Sequence, residues 1–80
     1  MLCALRKMSV PTVEVFKTNI SASIDADMVT TLLHQYFPGS RISVDLEDCD
    51  KVLRIEGSNL AALQVIKIVC SKGYHCSVLD

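Results

Sequence analysis

Patterns of apolar residues with period 2 and with period 3.6 follow one another along this chain in the order strand, helix, strand, strand, helix, strand. The order constrains the fold strongly because 80 residues are enough for only one hydrophobic core. Half of the residues are hydrophobic and 21% are charged, which suits a compact domain and not a disordered chain. The sequence therefore predicts a single domain that contains both sheet and helix.

The first half of the chain predicts one strand and one helix. Residues 12–20 alternate, with Val13 and Val15 on one face. Asp25 and Asp27 suit the first turn of a helix because carboxylates favour the positive end of the helix dipole. We expect this helix to begin near Asp25 and to stop at Pro38 and the glycine after it. Its predicted core-facing stripe consists of Met28, Val29, Leu32, Leu33, Tyr36 and Phe37.

The second half predicts a hairpin, a second helix and a last strand. Residues 41–47 and 51–56 alternate on either side of the turn sequence DCD, which is typical of a β-hairpin. Helical spacing then extends from Leu60 to about Ser71, and Gly73 closes the helix. The tail YHCSVLD predicts a short strand.

This order of elements indicates the ferredoxin-like βαββαβ sandwich, an α+β fold. With right-handed crossovers, the four antiparallel strands take the order 4-1-3-2 and both helices cover one face of the sheet. We place this domain at residues 12–80 and treat residues 1–11 as an N-terminal tail expected to be disordered.

Three stretches resemble the heavy-metal-associated (HMA) domain of copper chaperones and metal-pumping ATPases. They are VEVFKTNI in the first strand, FPGSRISVDLE at the end of the first helix, and SKGYHCSVL at the end of the chain. The resemblance covers roughly residues 12–79 and implies the same ferredoxin-like fold.

The family's metal motif, a methionine followed by two cysteines two residues apart on the loop after strand one, is absent from the corresponding segment KTNISAS. Thr18 falls near the methionine, Ile20 near the first cysteine and Ser23 near the second. Soft ions such as Cu(I) select sulfur ligands, which these side chains do not supply. We therefore expect no metal and no other cofactor at this loop.

An alternative is transition-metal (copper or zinc) binding, or metallochaperone activity, through the remaining thiol and imidazole groups. Cys49 in the hairpin turn and His75 and Cys76 before the last strand should lie at the same end of the fold. Against this, the hairpin tip and Cys76 belong to opposite sides of the sheet, about 10–15 Å apart at ordinary strand spacing. His75 and Cys76 are also neighbours on a strand and should point to opposite faces. The simpler interpretation is a turn cysteine and a half-buried edge cysteine.

The second helix is more apolar than packing on a sheet requires. If Leu63 and Ile66 face the sheet together with Val69 and Cys70, a second apolar stripe faces away from it. This stripe, the predicted interaction surface, consists of Ala61, Val65 and Ile68. Other candidates are the open face of the sheet, with Phe16 and Val52 placed outward, and strand addition at edge strands two and four. Charges near strand two discourage addition there.

Composition bounds the remaining functions. The net charge of −1, with scattered basic residues, argues against a nucleic-acid partner. The longest apolar run is too short for a bilayer, and the first residues lack the charge order of a secretory signal, so we expect a cytoplasmic protein with reduced cysteines. No cluster of acid, base and nucleophile suggests an enzyme. We therefore predict a protein that acts through protein–protein contacts, a homodimer included.

Overall fold

The fold is seen in a computed structural model that describes residues 12–58 and 60–79. The predicted tail, residues 1–11, lies outside the described residues. The elements in chain order are β1 (Thr12–Thr18), α1 (Ser23–Tyr36), β2 (Arg41–Asp45), β3 (Val52–Gly57), α2 (Ala62–Cys70) and β4 (Cys76–Val78). This confirms an α+β domain with four strands and two helices.

The ends of α1 have local causes. The helix begins at Ser23, two residues before the predicted start, and Asp25 lies in its first turn as expected. At its other end the backbone N–H of Phe37 donates to the carbonyl of Leu33 at 2.8 Å. Gly39 then adopts a φ of +90°, which a residue with a Cβ reaches only with strain. The chain can therefore turn at once into β2.

The four strands form one antiparallel sheet in the order β2-β3-β1-β4. Read from the other edge, this is the succession 4-1-3-2. Phe16 of β1 pairs with Leu53 of β3 on one side and with Val78 of β4 on the other. The sheet therefore has two edges, a five-residue edge at β2 and a three-residue edge at β4.

One hydrophobic cluster joins the sheet to both helices, which therefore lie on the same face of the sheet. Its buried members are Phe16, Ile20, Ala26, Val29, Leu33, Leu53, Ile55, Val65, Ile68, Val69 and Cys76. Within α1, Met28 and Tyr36 are exposed, so the predicted stripe was wrong at these two positions. Val29 and Leu33 are buried as predicted, and the third buried residue of the helix is Ala26, so the core face is rotated toward Ala26.

The outward position predicted for Phe16 is wrong. Its side chain is fully buried, and Val13 and Val15 occupy the open face of the sheet. Both faces of β1 carry apolar residues, so alternation alone does not decide which face is covered. Burying the phenyl ring removes more apolar surface from water than burying a valine does. Val52 does lie on the open face, opposite the buried side of its neighbour Leu53.

Candidate functional site

Three connections meet at one end of the sheet: the loop after β1, the hairpin turn between β2 and β3, and the residues before β4. The backbone N–H of Thr18 donates to the carbonyl of Asp50 at 3.0 Å. The N–H of His75 donates to Oδ1 of Asn19 at 2.9 Å. These bonds hold together the segments predicted to lie at one end of the fold.

The loop after β1 is built from core residues and not from metal ligands. Thr18 is buried, and its hydroxyl donates to the carbonyl of Lys51 and accepts the N–H of Ile20 at 3.2 Å. Ile20, which the resemblance described above would place near the first cysteine of the HMA motif, is fully buried in the core cluster. Ser23 is exposed at the start of α1. This segment offers two exposed hydroxyls, those of Ser21 and Ser23, and no sulfur.

The hairpin turn carries the most metal-like group of side chains. One ligand atom each from Asp48, Cys49 and Asp50 lies within 4.8 Å of the others, and in the described ranges they are the one such trio of His, Cys, Asp or Glu residues. Both carboxylates already have partners. Oδ1 of Asp48 accepts the N–H of Asp50 at 2.8 Å, and Oδ1 of Asp50 lies 3.7 Å from Nζ of Lys17. This hydrogen bond and this ion pair account for the conformation of the hairpin turn, and no metal ion is needed to explain it.

Cys49, His75 and Cys76 are not brought together as a ligand trio anywhere in residues 12–58 and 60–79. Asp50, beside Cys49, contacts Thr18 from the β3 side, whereas Cys76 pairs with Thr18 from the β4 side. Cys76 faces the core and is 9% exposed, while His75 is exposed. Burial and, to a smaller degree, the charge of Cys70 raise the pKa of Cys76 to about 12. Because metals bind the thiolate, Cys76 is a poor ligand at neutral pH.

The predicted interaction stripe on α2 is largely buried, which corrects the prediction. Val65 is fully buried and Ile68 is 8% exposed, whereas Ala61 is exposed just before the helix. The helix has apolar residues on two sides, so its period allows either side to face the sheet. In the structure Val65, Ile68 and Val69 fill the core, so these residues offer no surface to a partner.

The side of α2 expected to face the core is instead partly open. Leu63 is 73% exposed, Cys70 is exposed and Ile66 is half-buried. These residues, spaced i, i+3 and i+7, form a line along the helix that we call the outer flank of α2. Gln64 lies on the opposite flank, where it lines a cleft with Tyr36 of α1. Both sides are apolar, and the one sequence signal that favoured the outer flank as the open side is Lys67, the single charged residue of the helix, which lies at i+4 from Leu63 and i−3 from Cys70.

The outer flank of α2 lies beside edge strand β4. Helix α2 packs against β4, which begins at Cys76. Val78, two residues further along on the same face of the sheet, is also a large apolar residue left exposed. Within residues 12–58 and 60–79, apolar side chains and an edge strand therefore occur side by side.

A second apolar surface lies on α1. Ile24 is 76% exposed and Met28 is 44% exposed one turn later. Together with Leu32 and Lys72 they line a shallow depression of about 460 Å³. Its apolar residues all belong to α1, which packs against β2, and it reaches the turn between α2 and β4 through Lys72.

The chain has no match among protein-family models, and no curated protein matches it significantly. In the part of the chain that the structure describes, neither helix has the length and hydropathy needed to cross a membrane.

Proposed function

We propose that this chain is a ferredoxin-like, HMA-like domain that lacks the family's metal ligands and acts through protein–protein contacts. The fold assignment is supported by the βαββαβ order, the sheet order β2-β3-β1-β4 and the placement of both helices on one face. The proposal also takes the protein to be cytoplasmic and non-enzymatic, with neither nucleic acid nor membrane as a partner. The small, balanced net charge supports the absence of nucleic acid.

The proposed absence of the family's metal site is supported by the residues that occupy the loop after β1. In the loop after β1, Thr18 and Ile20 are buried and connected to the core, so they stabilise the fold where the family binds an ion. A pair of thiolates cannot be rebuilt nearby, since the thiol of Cys76 is turned into the core. In the HMA family this end of the fold binds the metal ion, whereas in this chain we take its residues to stabilise the fold.

The observation that carries the contact function is the outer flank of α2. Leu63 is 73% exposed and begins an apolar line that continues through the half-buried Ile66 and the exposed Cys70, and contiguous exposed apolar side chains are typical of contact sites. The three residues of the flank carry no charge, and the exposed Lys67 lies at its border beside Leu63 and Cys70, as polar residues do at the rim of an interface. We assign the contact surface to this flank, in place of Ala61, Val65 and Ile68.

A site-specific photocrosslinker tests this function. We would place benzoylphenylalanine at Leu63 and, as a control, at Thr31, which is exposed on α1, and irradiate cells that express each variant. The proposal expects a discrete protein adduct at position 63 that Ile66→Asp abolishes, and no such adduct at position 31. If position 63 gives no adduct, or the same adducts as position 31, the outer flank is not a contact surface.

A second candidate function, zinc binding, is favoured by one observation, the close approach of Asp48, Cys49 and Asp50. Zinc accepts both thiolate and carboxylate ligands, whereas Cu(I) needs the paired sulfur that is missing. Calorimetric titration of Zn(II) into the parent, Cys49→Ser and Cys70→Ser proteins tests it. A site at the turn requires binding in the parent and in Cys70→Ser that is lost in Cys49→Ser. Equal binding in all three, or none, removes this candidate.

A further inference from the structure

We propose that the apolar depression on α1 is the docking site for the chain's own N-terminal segment, residues 1–11. The inference is carried by the composition of the segment, by the place where the segment joins the fold, and by the charges at the depression. It concerns α1 and is independent of the contact function assigned to the outer flank of α2.

The N-terminal segment is strongly apolar. Six of its first eight residues are hydrophobic, namely Met1, Leu2, Cys3, Ala4, Leu5 and Met8. A segment remains disordered when it has too few apolar side chains to offset the entropy that is lost on ordering, and this composition is the opposite. The tail is therefore better suited to pack on the domain than to stay disordered.

The depression on α1 supplies a matching apolar surface. It is concave, with a volume of about 460 Å³, and its apolar lining consists of Ile24, Met28 and Leu32. Ile24 and Met28 are large hydrophobic residues that the described part of the chain leaves exposed. They lie one helical turn apart on the same side of α1, so a short segment that lies along the helix covers both.

The segment joins the fold beside the end of α1. Thr12 pairs with Gly57 of β3. Gly57 lies against Ser40, just after α1, because a Cβ on this glycine would come within 3.0 Å of the Cβ of Ser40. From there the depression extends back along α1 from Gln35 to Ile24, about 17 Å at 1.5 Å per residue. Eleven residues reach up to about 36 Å, so the segment is long enough to lie along the whole depression.

The charges favour the depression over the outer flank of α2. Arg6 and Lys7 are the two charged residues of the segment. The depression is bordered by Asp27 and Lys72, whose charges balance, and within residues 12–58 and 60–79 Asp27 has no cation within 4.0 Å. The single charged residue of α2 is Lys67, which repels a basic segment. Asp27 is therefore available to the basic pair, and the outer flank has no carboxylate of its own helix to offer.

The native thiol of Cys3 makes the contact measurable. In protein with Cys49→Ser and Cys70→Ser, Thr31→Cys places a second thiol in the depression. Gln64→Cys is the matched control, since it places an exposed thiol in the cleft near the point where the segment joins the fold. On mild oxidation of dilute protein, Cys3 should form an intramolecular disulfide with position 31 at least about tenfold faster than with position 64.

The same measurement in urea gives the baseline. The two rates then depend on loop length alone, which favours the shorter loop to position 31 by about threefold. A ratio in the native protein that does not exceed the ratio in urea overturns the proposal. Faster trapping at position 64 overturns it too, because a free segment tethered near that cleft gives this result.

A charged substitution in the segment tests whether its apolar residues make the contact. Leu5→Asp should lower trapping at position 31 to the baseline, because a carboxylate does not pack into an apolar depression. Ser9→Asp, which adds the same charge outside the apolar run, should keep the ratio above that baseline.

Amide NMR spectra of the full chain give a readout that needs no oxidation. Leu5→Asp should shift the resonances of residues 24–35 and leave those of β3 unchanged, which also shows that the domain is folded. Ser9→Asp should shift residues 24–35 much less. If Leu5→Asp leaves these resonances in place, or both substitutions shift them equally, the segment does not dock through its apolar side chains.

Discussion

The hydroxyl of Tyr74 donates a 2.7 Å hydrogen bond to Oδ1 of Asp25. The bond joins residues 49 positions apart, from the turn before β4 to the first turn of α1. It ties the end of the domain beside α2 to the start of the helix on the other side of the core. The bond thereby helps to position the turn that leads into β4.

Tyr74→Phe should lower the melting temperature by a few degrees, because it removes this bond and leaves the ring in place. Three effects raise the pKa of Tyr74. The largest is the hydrogen bond to Asp25, and partial burial of the phenol and the negative charge of Asp25 add to it. The folded protein therefore keeps the phenol proton after the unfolded chain has lost it. The resulting stabilisation is complete below the ordinary pKa of about 10 and is lost as the pH rises through the higher folded value.

Thermal melts between about pH 8 and about pH 11 measure the effect. The difference in melting temperature between the parent and Tyr74→Phe should be constant up to about pH 10 and should become smaller above it. Tyr36→Phe, at the exposed end of α1, should match the parent at neutral pH. A gap that widens above pH 10 would show that the bond does not favour the protonated phenol.

Leu33 and Leu63 offer a matched test of which helix faces are covered. Leu33 is fully buried, so Leu33→Ala should reduce the free energy of unfolding by about 2–5 kcal/mol. Leu63→Ala should change it by less than about 0.5 kcal/mol in dilute protein, since its side chain is open. Urea denaturation at low protein concentration measures both. Equal losses would mean that α2 is rotated from the orientation described.

Thr18→Val should reduce the free energy of unfolding by about 1–3 kcal/mol. The substitution keeps the shape of the side chain but leaves the carbonyl of Lys51 and the N–H of Ile20 without their buried partner. Thr31→Val is the control, because Thr31 is exposed on α1. Chemical denaturation compares the two variants, and equal stabilities would contradict a structural role for the Thr18 hydroxyl.

The cysteines should differ in reactivity. In Cys3→Ser protein, Cys49 and Cys70 are exposed and should react quickly with a chromogenic disulfide such as DTNB at neutral pH. Cys76 should react only at the rate of unfolding, because burial and its pKa of about 12 leave almost no accessible thiolate. Counting the thiolate released from DTNB before and after adding denaturant distinguishes the two exposed cysteines from the buried Cys76. Three fast thiols in the native protein would show that Cys76 is not buried as described.

The sequence by itself determined the number, kind and order of the elements. Period-two alternation separated the open-face residues Asp45, Arg54 and Glu56 from Leu53 and Ile55 because the surrounding residues were clearly polar on one side. It also showed that the loop after β1 contains no sulfur. These features depend on residues that are close in the chain.

Only the tertiary structure decided which face of an element is covered when both faces are apolar. In β1 either the valines or Phe16 could have faced the core, and in α2 both sides are apolar, with Lys67 as the one residue that favours Leu63 outside. Periodicity gives the spacing of a stripe, whereas the choice between two stripes depends on how well each fills the space left by distant elements. For that reason the sequence showed that α2 has more apolar residues than one face can bury. The packing of the helix against the sheet and α1 determined that Leu63 is among those exposed to solvent.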